Sequence, residues 1–271
     1  MADEVRFATD LFRGSAGYYD RYRVPYPEAM LTDLVRRAEV SQRGRLLDLA
    51  CGTGQLAFPL RRWFAEVWAV DQEPDMMDLV RAKAAAGGAG EVRAIVSSAE
   101  TLRAEPDSFE LAVIGNAFHR LNRDLTAGLI FGWLKPSGCL ALCWSSQPWS
   151  SEGDWQRALG ALTDRWMEAL GAQGRIPAGW DVARQRRPDL QVLSDAGFEP
   201  AGRHDFPVEH RWTLPELAGV VRSTSFLPAS VLGDQGATFD AELAATLGPY
   251  CDNGVLTETM SFDYELARKP A

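Results

Sequence analysis

The chain has 271 residues, 46% of them hydrophobic, and a formal net charge of −9, enough to bury one sizeable core. The acidic balance argues against a nucleic-acid partner, which wants a basic face, and no stretch nears the ~18 consecutive apolar residues of a membrane span. The start, Met1-Ala2-Asp3-Glu4, has no basic region followed by an apolar run, so a cytoplasmic protein is expected.

A first segment, residues 1–40, holds an arm at 12–27 crowded with Tyr18, Tyr19, Tyr22, Tyr26, Arg21 and Arg23, then a helix predicted over 28–38. Residues 41–145 form a cofactor-binding core in which short apolar strands, near 46–49, 67–70, 92–96, 111–115 and 139–145, alternate with helical stretches. That alternation predicts an α/β fold with a doubly wound, mainly parallel sheet. Ligands of such sheets bind at the carboxyl ends of the strands, which strings Asp48, Asp71, Ser98, Glu100 and Asn116 along one crevice. Residues 146–190 read as a lid insertion with a helical run at 152–172 and Trp149, Trp155, Trp166 and Trp180. Trp149 and Trp155, nearest the strand end, are candidate walls of a substrate pocket. Residues 191–271 complete the one catalytic domain with a helix at 190–196, a strand near 203–212, a helical excursion over 214–247 and an alternating strand at 256–267. The four cysteines lack metal-type spacing and read as buried thiols.

The most informative stretch is Leu46-Leu47-Asp48-Leu49-Ala50-Cys51-Gly52-Thr53-Gly54, an apolar strand entering a turn too tight for side chains. Gly52 and Gly54 permit positive φ and close backbone approach, and residues 55–64 are predicted as a helix offering its N-terminus to a polar ligand. Asp71 closes the second strand, 23 residues beyond Asp48, where a carboxylate can accept both hydroxyls of a ribose. A dinucleotide fingerprint needs three glycines, but those places read Ala50, Gly52 and Gln55, and no P-loop Gly-Lys-Ser/Thr is present. The turn therefore suits a nucleoside without a pyrophosphate.

Here the sequence resembles the class I S-adenosylmethionine-dependent methyltransferases, whose first motif commonly reads Leu-Asp-(Leu/Val)-(Gly/Ala)-Cys-Gly-Thr-Gly. Five segments follow in family order: Val70-Asp71-Gln72-Glu73-Pro74-Asp75-Met76-Met77, Ser97-Ser98-Ala99-Glu100, Asp107-Ser108-Phe109-Glu110-Leu111-Ala112-Val113, Asn116-Ala117-Phe118-His119 and Leu134-Lys135-Pro136-Ser137-Gly138. The resemblance covers roughly residues 15–145. It implies a seven-stranded sheet with an antiparallel last strand, S-adenosylmethionine as cofactor and S-adenosylhomocysteine as product. It also implies that Asp71 binds the ribose hydroxyls, that Gly52 and Gly54 accommodate methionine and ribose, and that Ala99 and Glu100 flank adenine. Ser98 stands where an aspartate commonly meets the adenine amino group. Tyr18, Tyr19 and Arg23 belong to an arm that lies over the site, with Tyr18 a substrate candidate, Tyr19 a cofactor contact and Arg23 a salt link to the cofactor carboxylate. Asp48, Ala50, Gln72, Met76 and Asn116 complete the expected cofactor set.

Methyl transfer from a sulfonium is an in-line displacement in which the enzyme aligns the partners and excludes water. An amine or hydroxyl acceptor must also lose a proton. His119, at the end of the fourth strand, is the leading candidate base; His204 and His210 compete if their strand face meets the pocket. Asn116-Ala117-Phe118 supplies no acid for a metal, so none is expected, and no Asn/Asp-Pro-Pro-aromatic motif for nucleobase or glutamine amides occurs. The expected acceptor is a small molecule, and the variable lid resembles those of enzymes that tailor specialised metabolites, as in antibiotic biosynthesis. Residues up to 145 hold 17 basic and 19 acidic side chains, those after it 11 and 18; this acidic second half favours N-methylation of a cationic amine such as an aminosugar. O-methylation of a phenol or polyketide, methylation of a small carboxylic acid, and a non-catalytic S-adenosylmethionine-binding protein stay open, as does the oligomeric state.

Overall fold

The computed structural model describes residues 7–271. The arm winds into α1 (Ala16–Tyr22), and α2 (Glu28–Ala38) follows, burying Met30, Leu31, Leu34, Val35 and Ala38 at helical spacing. The core runs through β1 (Arg45–Leu49), α3 (Ala57–Leu60), β2 (Glu66–Asp71), α4 (Pro74–Ala86), β3 (Val92–Val96), β4 (Phe109–Gly115), α5 (Arg123–Trp133) and β5 (Leu134–Ser145). Beyond it come α6 (Asp154–Ala169), α7 (Trp180–Arg186), α8 (Asp189–Asp195), β6 (Glu199–Thr213), α9 (Leu214–Arg222), α10 (Ala229–Leu232), α11 (Gly236–Leu247) and β7 (Val255–Arg268).

The seven strands form one sheet in the order β3-β2-β1-β4-β5-β7-β6. Pairing is parallel from β3 to β5, and β7 runs antiparallel to both β5 and β6. This is the doubly wound, mainly parallel α/β sheet that the alternation of elements predicts. Helices cover both faces, so the inner strands need apolar side chains at every position rather than every second one. Leu46, Val67, Leu111 and Cys139 pack into one core while Leu47, Ala112 and Leu140 pack into the other.

Three expectations shift. The helix predicted over 55–64 contracts to four residues followed by a 3-10 turn at Arg61–Trp63; Pro59 inside it removes a backbone donor. The sixth strand is longer than 203–212, because its ladder runs from Glu199 opposite Arg268 to Thr213 opposite Val255 with one irregularity at Pro200/Gly202. Pro200 and Pro207 are tolerated there because β6 is an edge strand. The excursion over 214–247 divides into three helices, the first opened by a capping box between Thr213 and Glu216. All four cysteines are free, with Cys51, Cys139 and Cys143 buried. Among the described residues no group of three or more metal-type side chains gathers, and no helix is long and apolar enough to cross a membrane.

Candidate active site

The turn after β1 is built from left-handed backbone, with φ of 56° at Ala50, 55° at Gly52 and 81° at Gly54. A Cβ on Gly54 would come within 2.8 Å of the Phe58 ring, and one on Gly52 within 3.3 Å of Tyr19, so these two positions have neither the conformation nor the room for a side chain. Asp71 clamps the turn from the neighbouring strand: Gly52 N–H donates to its Oδ2 at 2.9 Å and Glu73 N–H to its Oδ1 at 3.0 Å. Burial pushes the Asp71 carboxyl up against those two bonds. Beneath the turn, Asp48 is wholly buried; Ala57 N–H donates to its Oδ2 at 2.8 Å, and its Oδ1 meets no partner among the described residues. Burial raises the Asp48 pKa to about 8, helped by the Asp71 charge and opposed by the Ala57 bond. The amide expected to greet a ligand from the helix N-terminus is thus spent on Asp48.

Above this turn, at the carboxyl ends of the parallel strands, lies a cavity of about 400 Å³. Ala50, Gly52, Asp71, Gln72 and Met76 form its β1–β2 side, and Ser98, Ala99 and Glu100 its β3 side. Tyr19 and Asn116 close it toward the arm and β4. Ten of the thirteen residues expected to touch a cofactor therefore share one lining. Asp48 and Gly54 lie under the turn instead. Arg23 lies in a narrow cleft behind Tyr19, which also contributes to that cleft.

Asn116 takes a left-handed φ of 51°, a conformation asparagine reaches more readily than most residues. Its side chain is held at three points: Nδ2 donates to Tyr26 Oη at 3.1 Å and Ser145 Oγ at 2.9 Å, and Oδ1 accepts from Ser145 N–H at 3.0 Å. Arg23 donates to Ser223 Oγ at 2.8 Å, Gln147 Oε1 at 2.7 Å and Ser223 O at 3.3 Å, and rests on the Tyr19 ring. Burial depresses its pKa, and among the described residues it meets no carboxylate.

The histidines stand elsewhere. His119 packs at 5.7 Å from Trp144 and 5.0 Å from Trp180, outside the cavity lining. Burial, with Arg120, Arg184 and Arg123 nearby, lowers its pKa to about 3. His204 lies against Tyr264 and His210 against Trp212, both on β6 and off the lining. Trp155 is 8% exposed within the core, Trp149 abuts Phe226, and Tyr18 stacks on Tyr22. None of the three lines the cavity.

Sequence reasoning missed two contributors. Phe7 and Leu11, just ahead of the arm, and Phe12 at its start roof the cavity, and Arg120 enters it from the turn after β4. No sequence signal marked Arg120; its place follows from the structure, where Phe118–Arg120 is a 3-10 turn whose three residues point about 120° apart. Phe118 takes the core, His119 the aromatic side and Arg120 the cavity.

The residues present fit S-adenosylmethionine. Asp71 retains lone pairs beyond the two amides it accepts, Ser98 borders the β3 side of the cavity, and Arg23 meets no carboxylate among the described residues. Residues 46–138 match the family model of a methyltransferase domain. An uncharacterized methyltransferase of Mycobacterium tuberculosis is 29% identical over 229 residues, 84% of this chain and 82% of that one. A protein of Anaeromyxobacter dehalogenans described as a candidate type II methyltransferase has the same fold, with a TM-score of 0.59 at 19% identity over 92% of this chain and 98% of that one. A phosphoethanolamine N-methyltransferase of Haemonchus contortus, solved with phosphomonomethylethanolamine and S-adenosylhomocysteine, gives 0.54 at 14% identity over 94% of this chain and 57% of that one. Six motifs in family order, the sheet topology and these matches agree in supporting a class I S-adenosylmethionine-dependent methyltransferase.

Proposed function

We propose that this methyltransferase acts on a small molecule held between the cavity and the arm. The observation that carries the reading is the shared lining of about 400 Å³ by residues at the ends of four of the five parallel strands, a size suited to a nucleoside cofactor and a compact acceptor rather than a macromolecule. The Haemonchus protein of the same fold holds a small acceptor beside S-adenosylhomocysteine. When bound, S-adenosylmethionine would supply an electrophilic methyl to the acceptor's lone pair and leave as S-adenosylhomocysteine. Asp71 accepts the ribose hydroxyls, Ser98 and Glu100 border adenine, and Arg23 pairs with the methionine carboxylate. Tyr19 and Asn116 fix the reacting end and keep water out.

The same geometry weakens two of the narrower readings. His119, off the lining and neutral above about pH 3, is a poor general base. The acidic excess after residue 145 lines neither the cavity nor the Arg23 cleft, so it gives a cationic amine nothing to dock on.

Mass spectrometry of S-adenosylhomocysteine formed with a panel of amines, phenols, polyketides and small acids tests the proposal. Turnover of one class, abolished in Asp71→Ala together with cofactor binding, is expected. Tight S-adenosylmethionine binding without turnover of any class would favour a cofactor-binding protein.

A further inference from the structure

Arg120 is the only cation on the cavity lining among the described residues. Its guanidinium lies between the rings of Phe7 and Phe12, 4.8 and 4.9 Å from their centroids, and Nη2 donates to Ser225 Oγ at 2.9 Å. A guanidinium carries five N–H donors, and that is the one bond it makes to a described residue. Two further arginines converge on the same buried loop after α9. Arg175 donates to Ser225 O at 2.6 Å and Leu11 O at 2.9 Å, and Arg23 to Ser223. None of the three meets a carboxylate among the described residues.

This is not how the chain treats its other buried or half-buried arginines. Arg222 pairs with Asp240 at 2.7 Å, and Arg123 and Arg184 share Asp189 at 2.9 and 2.6 Å. Burying a charge without a partner is costly, and here Arg120 carries that cost on the cavity wall and Arg23 in the cleft behind Tyr19. Burial and the repulsion of Arg23 lower the Arg120 pKa to about 10, which leaves it charged at neutrality. The lining's own carboxylates, Asp71, Glu73 and Glu100, make no ion pair with Arg120, and the cofactor brings only one carboxylate alongside a sulfonium and an ammonium. The lining also offers no histidine among the described residues, and Tyr19 is pushed up by burial, which suits an acceptor that is already ionised.

We propose that the acceptor is a small oxyanion, a carboxylate or a phosphate ester, whose charged oxygens dock on the Arg120 guanidinium between Phe7 and Phe12 with Ser225 beside it. The two flanking rings fix the guanidinium plane so that its free edge presents paired donors. This rests on the methyltransferase reading of the same cavity and names the acceptor class within it.

Calorimetric titration of the full chain saturated with S-adenosylhomocysteine tests the proposal, using malonate, inorganic phosphate and malonamide as probes. Saturable binding of malonate or phosphate is expected, with the stronger of the two naming the oxyanion and neutral malonamide at least about tenfold weaker. Arg120→Gln is expected to weaken the anion by at least about tenfold and Arg120→Lys by less, with S-adenosylhomocysteine affinity held within about twofold in both. No saturable anion binding to the unaltered protein, or malonamide binding as well as malonate, overturns the proposal without needing any variant to fold. Loss of S-adenosylhomocysteine affinity in Arg120→Gln with malonate unchanged also overturns it, assigning Arg120 to the cofactor carboxylate. Failure of the unaltered protein to bind S-adenosylhomocysteine at all would instead sink the cofactor reading on which it rests.

Discussion

Gly115, the last residue of β4, is where the packing of the site can be read most sharply. A Cβ there would lie 2.8 Å from Tyr26 Oη and 3.1 Å from Leu56 Cδ1, so Gly115→Ala must displace a buried tyrosine. Overpacking of this kind costs ~1–3 kcal/mol. The displaced hydroxyl also loses the bond it accepts from Asn116 Nδ2, worth ~1 kcal/mol, for a total of ~2–4 kcal/mol. Tyr26→Phe alone forfeits only that bond, ~1 kcal/mol, since Asn116 Nδ2 keeps Ser145 Oγ. In the Tyr26→Phe background the nearest remaining ring atom to the new Cβ is Cζ at 3.6 Å, an ordinary contact. The double variant is therefore expected to cost about 2 kcal/mol, not the ~3–5 of the summed single changes, a coupling of roughly 2 kcal/mol. Urea unfolding of the four proteins, with slopes required to agree, measures it. Additivity within about 0.5 kcal/mol would refute the contact as the reason β4 ends in glycine.

His119→Phe is expected to leave kcat within a few-fold, whereas removal of a general base costs about 10²–10⁴; a loss of that size would return His119 to the chemistry. The ring's folded pKa of about 3 lies below its ordinary 6.5. The unfolded chain therefore takes the proton first: the contribution is complete above about pH 6.5 and is lost as pH falls toward 3, at up to ~1.4 kcal/mol per pH unit. The phenylalanine variant should lack that slope in urea midpoints. Asp48 has the opposite sign, with a folded pKa of about 8 above its ordinary 3.8. Its stability is full below about pH 3.8 and drains as pH rises to 8, so Asp48→Asn should flatten the decline between pH 6 and 8. An unchanged decline would mean that Asp48 is already ionised at neutrality.

The strands and the turn after β1 were legible because their signals are local: a run of apolar residues, two glycines and a carboxylate at the next strand end need only short-range geometry. The Asp71 clamp follows directly from that spacing. What escaped depended on distant partners. Phe7 and Phe12 carry no period that marks them as a roof; that role shows only once Arg120, more than a hundred residues on, packs against both rings and Arg175 binds the Leu11 carbonyl beside them. The tryptophans misled for the related reason that a large ring near a strand end can serve a wall or a core, and Trp155 went to the core. At 118–120 the titratable histidine drew attention from its neighbour, because one residue of rotation in a 3-10 turn exchanges which side chain faces the ligand.

The roof over the cavity is fastened lightly. Gln72 Nε2 donates to Thr9 O at 3.0 Å, Gly14 N–H to Asp75 Oδ2 at 2.9 Å, and Arg175 to Leu11 O at 2.9 Å, three bonds worth ~1 kcal/mol each that add to the burial of Leu11 and the Arg120 contacts of Phe7 and Phe12, against a sheet whose opening requires unfolding the domain. Lifting the arm is thus the cheapest way for a spent nucleoside to depart. Its residence time, rather than the displacement at carbon, then sets turnover whenever chemistry is fast, and an acceptor that arrives while the arm is shut waits for the next opening.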